Sequence, residues 1–177
     1  MGEIQFRLAT EADLDAIEQI YDAIHDQEES GAVTIGWVRG VYPSRASAQV
    51  ALDAGDMYVA VDDGVVVAAA RINQEQVPEY ADAAWAVDAP ADQVLVLHTL
   101  VVDPNRGGRG YGRQFVAFYE QLARERNCPY LRMDTNERNV RARALYAKLG
   151  YAEPDIVPCV FNGIEGVQLV CLEKTLA

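Results

Sequence analysis

Hydrophobic positions change their period several times along the chain, and these changes divide it into elements. Ile4, Phe6 and Leu8 alternate with polar residues, which predicts a short half-buried strand. Thr10-Glu11-Ala12-Asp13 has the character of a helix cap, and Leu14, Ile17, Ile20, Tyr21 and Ile24 then recur at helical spacing, so a first helix is expected to about Asp26. Pro43-Ser44 starts a second helix that buries Ala46, Val50 and Leu52 and ends near Gly55. The apolar runs 57–61 and 65–72 flank Asp62-Asp63-Gly64, a strong local signal for a hairpin of antiparallel strands. Residues 73–92 keep no period; Pro78, Pro90, Tyr80 and Trp85 stand among alanines and acids, and a surface excursion near a substrate is expected.

Residues 94–102 are apolar and β-branched, too short a run for a surface helix, and they lead into Pro104-Asn105-Arg106-Gly107-Gly108. An amphipathic segment starts at about Tyr111, shows Phe115, Phe118, Tyr119 and Leu122 on one face, and is stopped by Pro129. Tyr130-Leu131-Arg132-Met133-Asp134 is the next strand. Strand, loop, helix and strand within about 40 residues make a βαβ unit, whose two strands are parallel and joined by a right-handed crossover. A further helix over 138–148 closes at Leu149-Gly150 with a glycine C-cap. Residues 151–160 and 167–176 read as two last strands around Asn162-Gly163-Ile164-Glu165-Gly166. No internal repeat or low-complexity segment interrupts the pattern.

Composition narrows the possibilities without adding elements. At 177 residues, 50% hydrophobic and 24% charged, the chain suits one soluble domain spanning residues 1–177. A formal net charge of −12 weighs against nucleic acid and against an anionic membrane surface as partners, and it agrees with a cationic or amine substrate. No run approaches the ~20 apolar residues of a membrane span. The start, Met1-Gly2-Glu3-Ile4-Gln5-Phe6-Arg7, has no basic-then-apolar export pattern, so a cytoplasmic location is expected. Cys128, Cys159 and Cys171 are odd in number and without metal-ligand spacing, which suits reduced structural thiols and no metal site.

Candidate chemistry gathers at the βαβ unit. Gly107, Gly108, Gly110 and Gly112 free the backbone for close approach to a ligand, and the helix that follows offers unpaired N–H groups and a positive dipole end. Together these make a phosphate cradle. Arg106, Arg109 and Arg113 surround it with positive charge in an acidic protein, although a flexible surface turn has the same composition. In the helix after the second parallel strand, Asn139, Ala142 and Tyr146 share one face beside the apolar stripe of Leu145 and Leu149. A phenol there can donate a proton to a leaving group, including a thiolate; alternatively, Tyr146 is a core residue of an amphipathic helix.

The loop and this helix together resemble the GNAT superfamily of acyl-CoA N-acyltransferases, and the order of elements resembles that fold over essentially the whole chain. The superfamily's loop pattern, Gln/Arg-x-x-Gly-x-Gly/Ala, places its two glycines on Gly110 and Gly112 and its first position on Gly107, with Arg106 one residue too early. Its Asn-x-x-Ala-x-x-x-Tyr helix matches Asn139, Ala142 and Tyr146 without a gap. The resemblance implies acetyl-CoA or a related acyl-CoA as donor, its pyrophosphate on the backbone amides of residues 108–113, Tyr111 included. It also implies a pantetheine arm paired with the backbone of Leu100, Val101 and Val102, and Tyr146 protonating the departing thiolate. A homodimer is an expectation of the same kind.

An amine attacking a thioester needs a base. His98 is the candidate: simple alternation puts it on one face with Val96, Leu100 and Val102, and its ordinary pKa of about 6.5 suits the task, although a lone histidine on an apolar strand also fits a satisfied core residue. Glu165 in the last turn is a second candidate. Trp37, Tyr42, Asn73, Gln76, Tyr80 and Trp85 are the residues expected to line the acceptor pocket, each with packing or solvent contact as its alternative. Competing readings of the glycine loop lack their residues: the spacing is wrong for Gly-x-Gly-x-x-Gly, only one βαβ unit is visible, and no Gly-Lys-Ser/Thr is present. The expected fold is therefore a mixed, mostly antiparallel α/β sheet of about seven strands with four helices, splayed at its parallel pair. The expected activity is transfer of an acetyl group to a primary amine, small or peptide-borne, in a ternary complex, with a non-catalytic acyl-CoA-binding or sensing module as the alternative.

Overall fold

The computed structural model describes residues 3–177. Met1 and Gly2, the start of the stretch read for an export signal, lie outside the described residues. A seven-stranded sheet is built from β1 (Gln5–Leu8), β2 (Met57–Asp62), β3 (Val65–Asn73), β4 (Val94–Val102), β5 (Tyr130–Asn136), β6 (Ala152–Phe161) and β7 (Ile164–Thr175), in the spatial order β1-β2-β3-β4-β5-β7-β6. The helices are α1 (Leu14–Glu29), α2 (Arg45–Asp53), α3 (Tyr111–Glu125) and α4 (Val140–Lys148). None of the helices in the described residues is long and apolar enough to cross a membrane.

Neighbouring strands are antiparallel except β4 and β5, whose parallel pairing lasts only from Val94–Tyr130 to Leu97–Met133. The cause of the separation lies in β4. Arg71 of β3 pairs with His98 and Ala69 with Val101, so β4 uses one residue more than its partner over this stretch. Thr99 takes up the excess with φ +53°, a left-handed conformation unusual for a β-branched residue. Such a bulge bends the strand and reverses which face each later side chain meets. β5 meanwhile continues along β7 to Asn136. A cleft opens where the two strands part.

Both faces of the sheet are covered. On one, Leu95, Leu97, Leu131 and Met133 pack against Phe115 and Tyr119 of α3, with Leu100, Val102 and Leu145 at the margin. Phe115 and Tyr119 are fully buried, and truncating such a ring to alanine costs about 3–5 kcal/mol. The Tyr119 hydroxyl donates to the Leu95 carbonyl at 2.6 Å and lies 3.2 Å from that of Arg132, so it ties β4 to β5 just before they separate. On the other face, Ile17, Ile20, Tyr21 and Ile24 of α1 and Ala48 and Ala51 of α2 cover Val59, Ala69 and Val101.

Two boundaries differ from expectation for local reasons. α1 runs one turn beyond Asp26 because the loop after it folds back and uses that turn: Glu28 accepts the amides of Ile35 and Gly36 at 2.6 and 3.0 Å, and Arg39 binds Glu29 at 2.8 Å. The β6–β7 connection is only Asn162-Gly163, both at positive φ as a tight hairpin turn requires. Ile164, Glu165 and Gly166 already belong to β7, where a bulge absorbs Gly166.

Candidate active site

The loop after β4 makes a short 3-10 turn, Pro104–Arg106, with the Asp103 carboxylate accepting the Asn105 amide at 2.9 Å. Gly110 then takes φ +70° at the N-cap of α3, which a side chain would resist. That conformation starts α3, whose first amides have no intrahelical partner, with Tyr111, Gly112 and Arg113 on the cleft. A Cβ added at Gly108 or Gly110 would meet nothing within 4 Å, so the space beside the loop is open. The loop is fixed from below by Asp62, which accepts from Arg109 at 2.7 Å and from the Tyr111 hydroxyl. Tyr111 and then Arg109 hold the Asp62 carboxyl below the usual carboxylate range.

Two of the expected anion-binding arginines are thereby reassigned. Arg109 is turned onto Asp62 of β2, Arg106 lies 3.5 Å from Asp103, and neither lines the cleft; their positive charge is answered by these two carboxylates. Gly107, Gly108, Gly110, Tyr111, Gly112 and Arg113 do line it.

From the loop a cavity of about 730 Å³ continues into the gap between the parted strands. Leu100, Val101 and Val102 form one wall, Asp134, Thr135 and Asn136 the opposite one, and Asn139, Ala142 and Tyr146 a third. Asn139 is the N-cap of α4 rather than a residue within it, and its side-chain oxygen accepts the Ala142 amide at 3.2 Å. Tyr146 is 7% exposed, and its hydroxyl makes no hydrogen bond to another described residue. Burial, reinforced by the charge of Asp134, raises its pKa, so the phenol keeps its proton at neutral pH.

The acid that faces it was not singled out in the sequence. Asp134 is the first β5 residue beyond the paired segment, its carboxylate accepts the Tyr80 hydroxyl at 2.6 Å, and burial pushes its pKa up to about 6. A carboxylate in a strand of otherwise hydrophobic setting was the available signal, but only the splay turns that position into a cavity wall.

His98 does not stand there. The bulge separates it from Leu100 and Val102: its Nε2 hydrogen-bonds to the Asn73 side-chain oxygen at 2.8 Å, and it does not line the cavity. Burial, followed by the nearby Arg71, depresses its pKa to about 4. Glu165 is exposed on β7 and is likewise absent from the lining.

Of the expected acceptor residues, Trp37 and Tyr42 line the cavity, and the Tyr42 hydroxyl is bonded to Thr99 Oγ1 at the bulge. The other four do not. Asn73 also donates to Asp56 at 2.9 Å, Gln76 accepts from Arg132, Trp85 lies under the Arg132 guanidinium, and Tyr80 supports Asp134 from behind. The excursion over 73–92 is thus a buttress behind the site, packed on Val94, Val96 and Leu169.

This arrangement places a proton acceptor, a proton donor and an anion cradle on one cavity, which suits nucleophilic attack on an activated acyl group. A sequence model described as acetyltransferase (GNAT) family matches residues 15–151. No curated protein matches the chain by sequence. Among solved structures, a GNAT-family acetyltransferase from Streptococcus agalactiae superposes with a TM-score of 0.81 at 24% identity, over 98% of this chain and 96% of that one. A ribosomal-protein-alanine N-acetyltransferase from Brucella melitensis gives 0.70 at 23% identity, over 97% and 99%. A Salmonella typhimurium acetyltransferase, solved with its cofactor acetyl-CoA, gives 0.70 at 18% identity, over 99% and 95%. These likenesses concern the fold.

Proposed function

The chain belongs to the GNAT acetyltransferase family, and from that premise we propose that it moves an acetyl group from acetyl-CoA to a primary amine by direct attack in a ternary complex. The observation that carries this reading is the convergence of Asp134, Tyr146 and the open glycine loop on a single cavity. Acetyl-CoA supplies the thioester. The residues present fit it: the first amides of α3 face open space suited to a pyrophosphate, and the unpaired inner edge of β4 at Leu100, Val101 and Val102 offers backbone groups to an amide-bearing arm.

Asp134, ionised above about pH 6, takes a proton from the bound ammonium to free its lone pair for attack, or from the amine nitrogen as it attacks. The new C–N bond forms as the C–S bond breaks, and Tyr146 gives its hydroxyl proton to the leaving sulfur. Both groups then return to their starting states by exchange with solvent. No cysteine lines the cavity among the described residues, in keeping with transfer that involves no acyl-enzyme.

A thiol-release assay with acetyl-CoA across a panel of amines tests the proposal. Release that requires both enzyme and amine supports it; release independent of amine, or none from a protein that binds acetyl-CoA, contradicts it and favours the binding-module alternative.

A further inference from the structure

The cavity is chemically divided. One half carries the glycine loop, and the arginines of the lining, Arg113, Arg138 and Arg141, lie on or just before the first turns of α3 and α4. The half facing α1 and the β6–β7 hairpin is walled chiefly by Trp37, Tyr42, Phe161, Ile164, Val167 and Leu169, and no charged residue from α1, the loop after it or the hairpin lines it. Asp134 stands at the boundary, and the only other acid in the lining among the described residues, Asp103, lies at the glycine loop beside Arg106.

The outer side of this half is narrowed at two points. The loop over 31–42 presses Gly36 against Asn136 so tightly that an added Cβ would come within 2.5 Å of the amide nitrogen. At the hairpin tip, a Cβ on Gly163 would lie 3.3 Å from Val41 Cγ1. The loop is held in that position by Glu28, and its Arg39 by Asp22 and Glu29. Its two flanks therefore touch the end of β5 and the hairpin, which narrows the side along which an extended polypeptide would lie.

Resting on the transfer reading above, we infer that the acceptor is a small primary monoamine with an apolar body. One carboxylate matches one ammonium. A substrate carboxylate would be brought against a mostly apolar wall whose polar members, Gln27, Thr34 and Asn162, are neutral, and an unpaired charge there is costly. A second ammonium would find no second acid there, and a peptide amine would need the side that the loop and hairpin narrow. Apolar surface, by contrast, gains by contact with Trp37, Tyr42 and Phe161.

The test compares 2-phenylethylamine with phenylalanine, which differs by its carboxylate, and with spermidine and an alanine-initiated tetrapeptide, all with acetyl-CoA and the full chain. Calorimetric binding of each amine runs in parallel, and Trp37→Ala serves as the pocket variant. The expected result is a kcat/KM for 2-phenylethylamine at least about tenfold above each of the others, falling about tenfold in Trp37→Ala. If phenylalanine, spermidine or the peptide is turned over as well or better, the acceptor inference is overturned while acetyl transfer stands. Tight, Trp37-dependent binding of 2-phenylethylamine without thiol release supports the pocket and overturns transfer. Neither binding nor release overturns both.

Discussion

Tyr80 donates its hydroxyl to the Asp134 carboxylate at 2.6 Å, across 54 positions of sequence. The hydroxyl favours the ionised carboxylate and so opposes the burial that raises its pKa. Tyr80 thereby positions and tunes this carboxylate without lining the cavity itself.

Tyr80→Phe removes that donor. The acidic limb of the pH–rate profile, expected near pH 6 in the natural protein, moves upward by up to about one unit. The rate near pH 6.5 falls several-fold and recovers toward pH 9. A limb that stays in place would show that Tyr80 only packs.

Asp134→Asn lowers kcat by about 10²–10⁴-fold if the carboxylate is the base. It also alters stability with a definite sign. An acid whose folded pKa is raised, here to about 6, favours folding below its unfolded pKa and loses that contribution as pH rises through the folded value. Urea unfolding should therefore find the variant more stable than the natural protein at pH 8, by up to about 3 kcal/mol, with the difference gone below about pH 4.

Asp62→Asn loosens the glycine loop by weakening its hold on Arg109 and Tyr111. The dissociation constant for acetyl-CoA is expected to rise about tenfold, with kcat at saturation changed less than threefold. Because Tyr111 and Arg109 lower the Asp62 pKa, its contribution to folding is present above the ordinary carboxylate pKa and lost as pH falls; the variant lacks that acid-side loss.

His98→Gln leaves the pH–rate profile above pH 5 unchanged, because the imidazole is neutral there, bonded to Asn73, and does not line the cavity. A depressed histidine pKa means that the unfolded chain takes up a proton first, so the natural protein loses stability between about pH 6.5 and 4. The variant should show a flatter stability profile in that window by thermal unfolding.

The strands, helices and glycine loop were legible because hydrophobic period and turn chemistry are local. Tyr146 and the loop glycines could be read for the same reason: their spacing along one helix and one turn is their geometry. Simple alternation put His98 on the face of Leu100 and Val102, and left Asp134 unremarked as a cavity wall, because the Thr99 bulge has no glycine or proline to announce it, and one added residue changes the face of everything after it. Arg109 stood out as surplus charge because its partner, Asp62, lies 47 residues away. Tyr80 sat in a segment without period, where only tertiary contacts with Val94, Val96 and Leu169 give it a place.

The central claim is best tested by Tyr146→Phe, measured once as acetyl-CoA affinity and once as amine-dependent thiol release. The phenol faces the cavity without another hydrogen-bond partner among the described residues, so its removal should leave the dissociation constant within about twofold and lower kcat by about 10²-fold or more. An unchanged kcat at unchanged affinity would contradict the role of Tyr146 as the acid that protonates the leaving sulfur.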